Sequence, residues 1–576
     1  MIQRFFSRYF PFLVLAGALF LAAGLRLWQL SEYPVSPYWE EVALGYDAYS
    51  ILKTGKDHHG TSFPIVAFES FGDWKPSGYF YFAVPSIALF GLTTFATRLP
   101  TALAGIAMTA LVAAILYSWA NSRQKYLAAG LGLFVTAVSP WALQFSRGSW
   151  EVMVASCFIL VGVWSGLGVI QKTQVSFTVW RLYVSVVSLI LSMYIYHGTR
   201  LTAPLLGVGL LVWWIHELLQ ANVHLGSFAG KHLKALTGVS VMAVLLIFPL
   251  AQQLSSPQVQ QRIAETSLWS VSTAVVQSNQ ARDLAGNTWW SRFMFHRYVY
   301  FGQEVAQQLV SHLHPAFLFV KGDANPRHSL PLWGQLYWFE CLPLLLGIAW
   351  AWQKRRRQLL FLVWWWLAAS IPASLSVATP HALRTLPSLP VLLICITWGW
   401  LFITELISNF VPTKIVLSNY VKPVLLSCIV CGYVLFTMMW WRTYTTIYPA
   451  QFASEWQYGY EQVIDVIATW QNTHPGQPVY ISRFQGRPAM YYWFYTQTDP
   501  TQVQAAQASA LKDQSEFLTF QNLTFFDTLD KVKPGPGLVA ISAAEEPLLA
   551  ASRPFTRVAT VSTLTGEPLW TVVELQ

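Results

Sequence analysis

Eleven apolar runs, at 10–30, 98–120, 126–146, 150–170, 181–198, 201–220, 235–254, 335–353, 359–378, 383–406 and 422–443, constrain this 576-residue chain more than any motif in it. Each is near the ~20 residues that carry a helix across the roughly 30 Å hydrocarbon core of a bilayer. Only 11% of the residues are charged, against about 25% in a soluble domain. The 28 Trp, 36 Phe and 25 Tyr suit the aromatic belts of a membrane protein. The expected fold is a polytopic α-helical membrane protein with about 11 transmembrane helices over 1–446, followed by a small C-terminal α/β domain over 447–576.

The net charge of +9 does not point to nucleic acid, because no basic amphipathic stripe is present. The cations sit in short loops between apolar runs, as with Lys354, Arg355, Arg356 and Arg357. With a cytoplasmic N-terminus, every inside loop is short and basic, which satisfies the positive-inside bias. Two long loops, 31–97 and 255–334, and the tail then fall outside the cell membrane. Arg4 and Arg8 precede the first run as in a signal peptide, but the run is too long and lacks an A-x-A site, so it reads as an uncleaved helix. The five cysteines lie in apolar runs and read as small hydrophobes. In the tail, "QPVYIS", "GLVAIS" and "RVATVST" read as strands and "PGPG" as a turn.

In this topology the unusual polar residues gather on the outer face. The first loop carries "PYWEEVALGYDAY" with Glu40 and Glu41, then His58, His59, Asp73 and Lys75; outer turns carry Arg147, Glu151, His197, Arg200, Arg327, His328, His381 and Arg384. Charges near membrane depth are costly unless they pair or face a wet cavity. Plainer readings stand beside the functional one. A terminal Arg can snorkel. Glu40 and Glu41 can simply favour a helix N-terminus, and successive helical residues point about 100° apart, so the two serve one site unequally. His58–His59 reads as a metal pair or as a solvated loop tip before Gly60.

An outward carboxylate within reach of a hydroxyl is a general base. Outward Lys and Arg stabilise a departing phosphate. A cavity open to lipid and water suits a lipid-linked donor, and sugar transfer from a lipid phosphate, through an oxocarbenium-like transition state, uses all three features.

The stretches "YWEEVALGYDAYSILKTGKDHHG", "DWKPSGYFYFAVPSIALFG" and "RLPTALAG", followed by "SRGSWE", "YHGTR", "NPRHSLPLWGQLYWFE" and "HALRTLPSLP", resemble the C-type glycosyltransferases. The nearest group is the protein O-mannosyltransferase and aminoarabinose transferase superfamily (glycosyltransferase family 39-like), over roughly residues 10–445. The resemblance implies Glu40, with Glu41 beside it, as the catalytic acids. It implies Lys75, Arg147 and Arg384 as donor-phosphate ligands, and Asp73 as a metal candidate in a reaction that needs no metal or is weakly assisted by a divalent one. Glu151, His197, Arg200, Arg327, His328 and His381 are cavity or acceptor candidates. The implied donor is a polyprenyl-phosphate sugar held at the membrane lipid, and the acceptor hydroxyl belongs to a protein, lipid or glycan. A transporter or flippase of a lipid-linked or anionic solute is the competing class. Against it, the polar residues gather at one face rather than at the midplane, and no interrupted helix pair marks an inverted repeat.

Overall fold

The structure, a computed structural model, describes residues 2–122, 124–171, 178–254, 273–410, 418–513, 515–529 and 534–576. The start of the second long loop, 255–272, lies outside the described residues. A helix occupies each of the eleven apolar runs: Ile2–Leu27, Thr94–Trp119, Lys125–Val138, Glu151–Gln171, Val179–Ile195, Thr199–Gln220, Leu233–Leu254, Cys341–Lys354, Arg356–Ser374, Leu389–Phe410 and Ser418–Arg442. Among the described residues, six helices are long and apolar enough to cross a membrane: Thr94–Trp119, Glu151–Gln171, Thr199–Gln220, Leu233–Gln253, Ala382–Phe410 and Tyr420–Phe452. Others are shorter; Lys125–Val138, with 14 residues, reaches only about 21 Å. The molecule is a multi-pass membrane protein.

The chain divides into two compact units, one of Met1–Arg26, Leu103–Ser146 and Glu151–Trp440, the other of Leu27–Ala102, Arg147–Trp150 and Trp441–Gln576. In the first unit, apolar helices cannot gain by hiding from lipid, so they associate by close packing. The crossing of Cys341–Lys354 with Leu389–Phe410 shows the device. A Cβ at Gly347 would collide with the Cys395 carbonyl, and one at Gly399 with the Pro343 carbonyl. Two glycines thus let the backbones touch. Two buried charged groups in this unit have close hydrogen-bond partners. Arg26, fully buried, donates to the Ala137 carbonyl at 3.0 Å and to Ser146 Oγ at 3.2 Å. Glu340, also fully buried, accepts from Tyr433 Oη at 2.7 Å and from the Tyr337 amide at 2.8 Å.

Among the described residues, the second unit carries ten strands: β1 Phe68–Ser70, β2 Asp73–Lys75, β3 Val479–Ser482, β4 Lys512–Asp513, β5 Glu516–Phe517, β6 Thr519–Phe520, β7 Leu523–Phe526, β8 Gly537–Ser542, β9 Phe555–Ser562 and β10 Pro568–Leu575. β1 and β2 form an antiparallel hairpin. Six others form a mixed sheet in the order β6-β7-β3-β8-β10-β9, with β3 parallel to both β7 and β8. The three tail segments read as strands are β3, β8 and β9. Five consecutive residues of β8 are buried, as a continuous apolar run in a central strand requires. Phe526, Val539, Ile541, Leu549, Val573 and Leu575 form one core. The first loop packs with this tail: Tyr491 Oη donates to the Pro37 carbonyl at 2.9 Å and Tyr46 Oη to the Thr498 carbonyl at 2.8 Å.

Because Gly399 meets backbone, Gly399→Ala should separate the two helices and lower stability by about 1–3 kcal/mol. Gly432→Ala, where a Cβ meets nothing within 4 Å, should have no such cost. Thermal unfolding of the two variants in detergent checks this; equal transitions would show that the crossing tolerates a methyl group.

Candidate active site

The site begins with the helix Trp39–Thr54, whose first turn holds Glu40 and Glu41. Their side chains part, as the helical rotation dictates, and meet opposite environments. Glu41 is fully buried. Arg98 grips it with two bonds, Nε to Oε2 at 2.8 Å and Nη2 to Oε1 at 3.1 Å. The amide and hydroxyl of Ser149 also donate to Oε2, at 3.0 and 3.1 Å. The remaining hydrogens of Arg98 go to the carbonyls of Leu30 at 3.0 Å, Pro34 at 2.9 Å and Ser36 at 2.8 Å. A planar guanidinium with five donors can make this set of bonds, and an ammonium cannot. Arg98 and Glu41 therefore stitch the segment 30–41 to the start of the Thr94–Trp119 helix.

Glu40 faces outward, its side chain 35% exposed. Lys75 Nζ lies 2.7 Å from its Oε1, and Tyr38 Oη donates to Oε2 at 3.1 Å. Lys75 ends β2, where it pairs with Phe68 across the hairpin, so the ammonium is presented by a rigid element. Asp73 is two residues earlier on the same strand face. Among the described residues it joins no group of three metal-ligating side chains.

Arg147, expected to bind the donor phosphate, is instead fully enclosed. Its Nη2 donates to the carbonyls of Trp28 at 2.8 Å, Gln29 at 3.1 Å and Tyr33 at 3.2 Å. Its guanidinium carbon lies over the rings of Trp441 and Tyr444, 5.1 and 5.5 Å from their centroids. These contacts make it a structural clamp on the segment 28–33. Glu41 is held likewise, because Arg98 and Ser149 engage both of its oxygens.

Glu151, His197, Arg200, Arg327, His328, His381 and Arg384 all belong to the other unit. Glu151 opens the helix Glu151–Gln171. Arg200 Nε donates to the Met193 carbonyl at 3.3 Å. Arg384 bonds Ser376 Oγ. The Arg327 carbonyl accepts from Gln144 Nε2 at 2.9 Å. His328 and His381 flank Asp323.

Two features escaped the sequence reading. Arg98 ends a loop beside an apolar run, where a cation usually sets orientation. Asp47, buried, accepts at Oδ1 from both the amide and Nδ1 of His58, at 3.0 and 2.7 Å. His58 is buried too, so the His58–His59 pair is no solvated tip. Burial opposes protonation of His58, but the charge and hydrogen bond of Asp47 hold its pKa above the usual value. Burial and then Asp47 push Asp57 up to about 6. The helix Trp39–Thr54 is thus pinned at its start by Arg98 and, through Asp47, at its middle by His58.

Breaking one partner of a buried ion pair leaves the other charge uncompensated, at about 3–5 kcal/mol. Arg98→Lys should approach that loss despite keeping its charge, since a lysine cannot make the fork and the carbonyl bonds together. Unfolding in detergent checks this, and a wild-type-like transition would show that charge alone suffices.

No family model matches the chain, and no curated protein matches it. Solved structures do. ArnT from Cupriavidus metallidurans in the apo state is similar with a TM-score of 0.51 at 14% identity, over 98% of each chain. The same protein bound to undecaprenyl phosphate gives 0.52 at 14% identity, over 97% of each. The archaeal oligosaccharyltransferase AglB from Archaeoglobus fulgidus, in complex with an inhibitory peptide and a dolichol-phosphate, gives 0.47 at 10% identity, over 98% of this chain and 74% of that one. At such identities what is shared is the fold, and the chain carries the fold seen in ArnT.

Proposed function

We propose that this protein is a membrane glycosyltransferase that moves a sugar from a polyprenyl-phosphate donor to a hydroxyl acceptor, with inversion and with Glu40 as base. The observation that carries the proposal is the Glu40–Lys75 pair, a half-exposed carboxylate 2.7 Å from a nearly buried ammonium. The partial exposure of Glu40 lets a substrate reach it, and the anchoring of Glu41 fixes where it points. The similar ArnT structure with undecaprenyl phosphate supports a lipid-phosphate donor on this fold.

Before substrate binds, the two charges compensate each other. An entering phosphate oxygen competes for Lys75 and frees a lone pair of Glu40. Glu40 then takes the proton of the acceptor hydroxyl as that oxygen bonds to the anomeric carbon. The bond from the anomeric carbon to the phosphate oxygen breaks, its electron pair leaves with the polyprenyl phosphate, and Lys75 stabilises the charge. Holding acceptor and donor in line contributes much of the rate. Every step uses residues of one compact unit. We place this chemistry at the extracytoplasmic face of the cell membrane, with a cytoplasmic N-terminus, because that topology puts the basic loops inside.

The test is to incubate purified protein in detergent with a panel of radiolabelled polyprenyl-phosphate sugars and follow their consumption. A transporter needs two compartments and would leave them intact. Glu40→Gln should lower turnover by roughly 10²–10⁴-fold, the usual contribution of a general base, while donor binding persists. Wild-type-like turnover removes Glu40 from the mechanism. Lys75→Ala should weaken donor binding as well as rate; a rate loss with unchanged binding would place Lys75 elsewhere.

A further inference from the structure

The hairpin that presents Lys75 turns on a residue poorly suited to turning. Ser70 on β1 pairs with Asp73 on β2, so Phe71 and Gly72 make the turn, and both have positive φ, 56° and 78°. A two-residue turn with two positive φ values is ordinarily built from Asn, Asp or Gly. Gly72 meets that demand and Phe71 does not. Positive φ at a bulky side chain is an outlier that persists only where the surroundings hold it. The hairpin also has no further strand beside it, and an isolated two-stranded hairpin is marginally stable at best.

What holds it comes from the tail, within the same compact unit. The guanidinium carbon of Arg487 lies over the Phe71 ring, 4.6 Å from its centroid, inside the range of cation–π attraction. Arg487 itself has φ 64° and directly precedes the helix Pro488–Tyr495. Its Nη1 donates to Glu516 Oε2 at 2.9 Å, and the Glu516 side chain is only 4% exposed. Arg483 Nη2 donates to the same oxygen at 2.8 Å, so the arginine that covers the turn is anchored on a buried, shared carboxylate. A second tie lies two residues earlier, where Ser515 Oγ donates to Glu69 Oε1. Ser515 also has φ 64°. Three non-glycine residues in the left-handed region, Phe71, Arg487 and Ser515, thus gather where the tail meets the hairpin. Such outliers cluster at ligand clamps and functional sites.

We propose that Arg487 is a positioning residue for Lys75: by covering Phe71 it fixes the β1–β2 hairpin, and with it the ammonium that meets the donor phosphate. Lys75 ends β2, about 7 Å along the strand from the residue that follows the turn. A swing of the turn therefore moves the ammonium away from Glu40 and from an incoming phosphate. The tail becomes a working part of the donor site although Arg487 touches no substrate. This role rests on the sugar-transfer reading for what Lys75 binds; the hold of Arg487 on the hairpin does not.

Two readouts on full-length protein in detergent test this: amide hydrogen exchange over residues 68–75, and affinity for undecaprenyl phosphate. Arg487→Ala should speed the exchange by about 2- to 30-fold, the range that one cation–π contact supports, and weaken binding within the same range. In a Lys75→Ala background, Arg487→Ala should weaken binding no further, because its effect passes through that ammonium. A merely structural role would instead give additive losses. Arg557→Ala, at an exposed ion pair on β9, should change neither readout. If Arg487→Ala does not fold, Phe71→Leu decides, since it removes the ring and leaves both arginines on Glu516. Unchanged exchange in Arg487→Ala, or in Phe71→Leu where that variant decides, would overturn the proposal, as would a binding loss that is undiminished in the Lys75→Ala background. Should Lys75→Ala alone bind undecaprenyl phosphate as tightly as wild type, the sugar-transfer reading of Lys75 is what fails, and the exchange result still decides whether Arg487 holds the hairpin.

Discussion

The buried pair of Arg98 and Glu41 is the interaction on which the placement of Glu40 depends. Both side chains are fully buried, and isolated ions in that position would be very costly. Here the pair is saturated: both carboxylate oxygens and the guanidinium fork are bonded, and spare hydrogens go to backbone carbonyls. The energy of such a pair goes into geometry more than into stability. It fixes the first turn of one helix, and the residue one step earlier must then point about 100° away. That residue is Glu40, and what it meets is Lys75 on a hairpin. Two adjacent acids thus meet opposite surroundings, one enclosed in a saturated ion pair and one partly open.

Charge is scarce in this chain, and several charged side chains buried beside apolar helices are held by specific hydrogen bonds. Arg26, Arg147 and Glu340 follow the same rule as Arg98, each enclosed and bonded largely to backbone or hydroxyl groups. Against that background Glu40 stands out because its charged partner is within reach and its carboxylate remains partly open.

Much of the helical framework was legible in the sequence, because apolar length is a direct physical signal: every apolar run contains a helix. So were β3, β8 and β9, whose β-branched runs sit between turn residues. The neighbourhood of Glu40 and Lys75 was legible through the resemblance. What was not legible depends on burial and on contacts between distant segments. Arg147 looked like an outward cation, and only the three carbonyls around it reveal a clamp. Arg98 gave no signal beyond its place at the edge of an apolar run. His58 looked solvated beside Gly60, yet it is buried against Asp47. The packing of the first loop with the tail was equally hidden, since Tyr46 and Tyr491 reach across hundreds of residues for their carbonyls.

The central claim is that Lys75 receives the donor phosphate while Glu40 faces the acceptor. A cryo-electron microscopy structure of the wild-type protein with a bound polyprenyl phosphate tests this most directly. The account predicts the phosphate within hydrogen-bond distance of Lys75 Nζ, with the Glu40 carboxylate released from that ammonium and turned toward the open side. A phosphate bound elsewhere, with the Glu40–Lys75 contact unbroken, would contradict it.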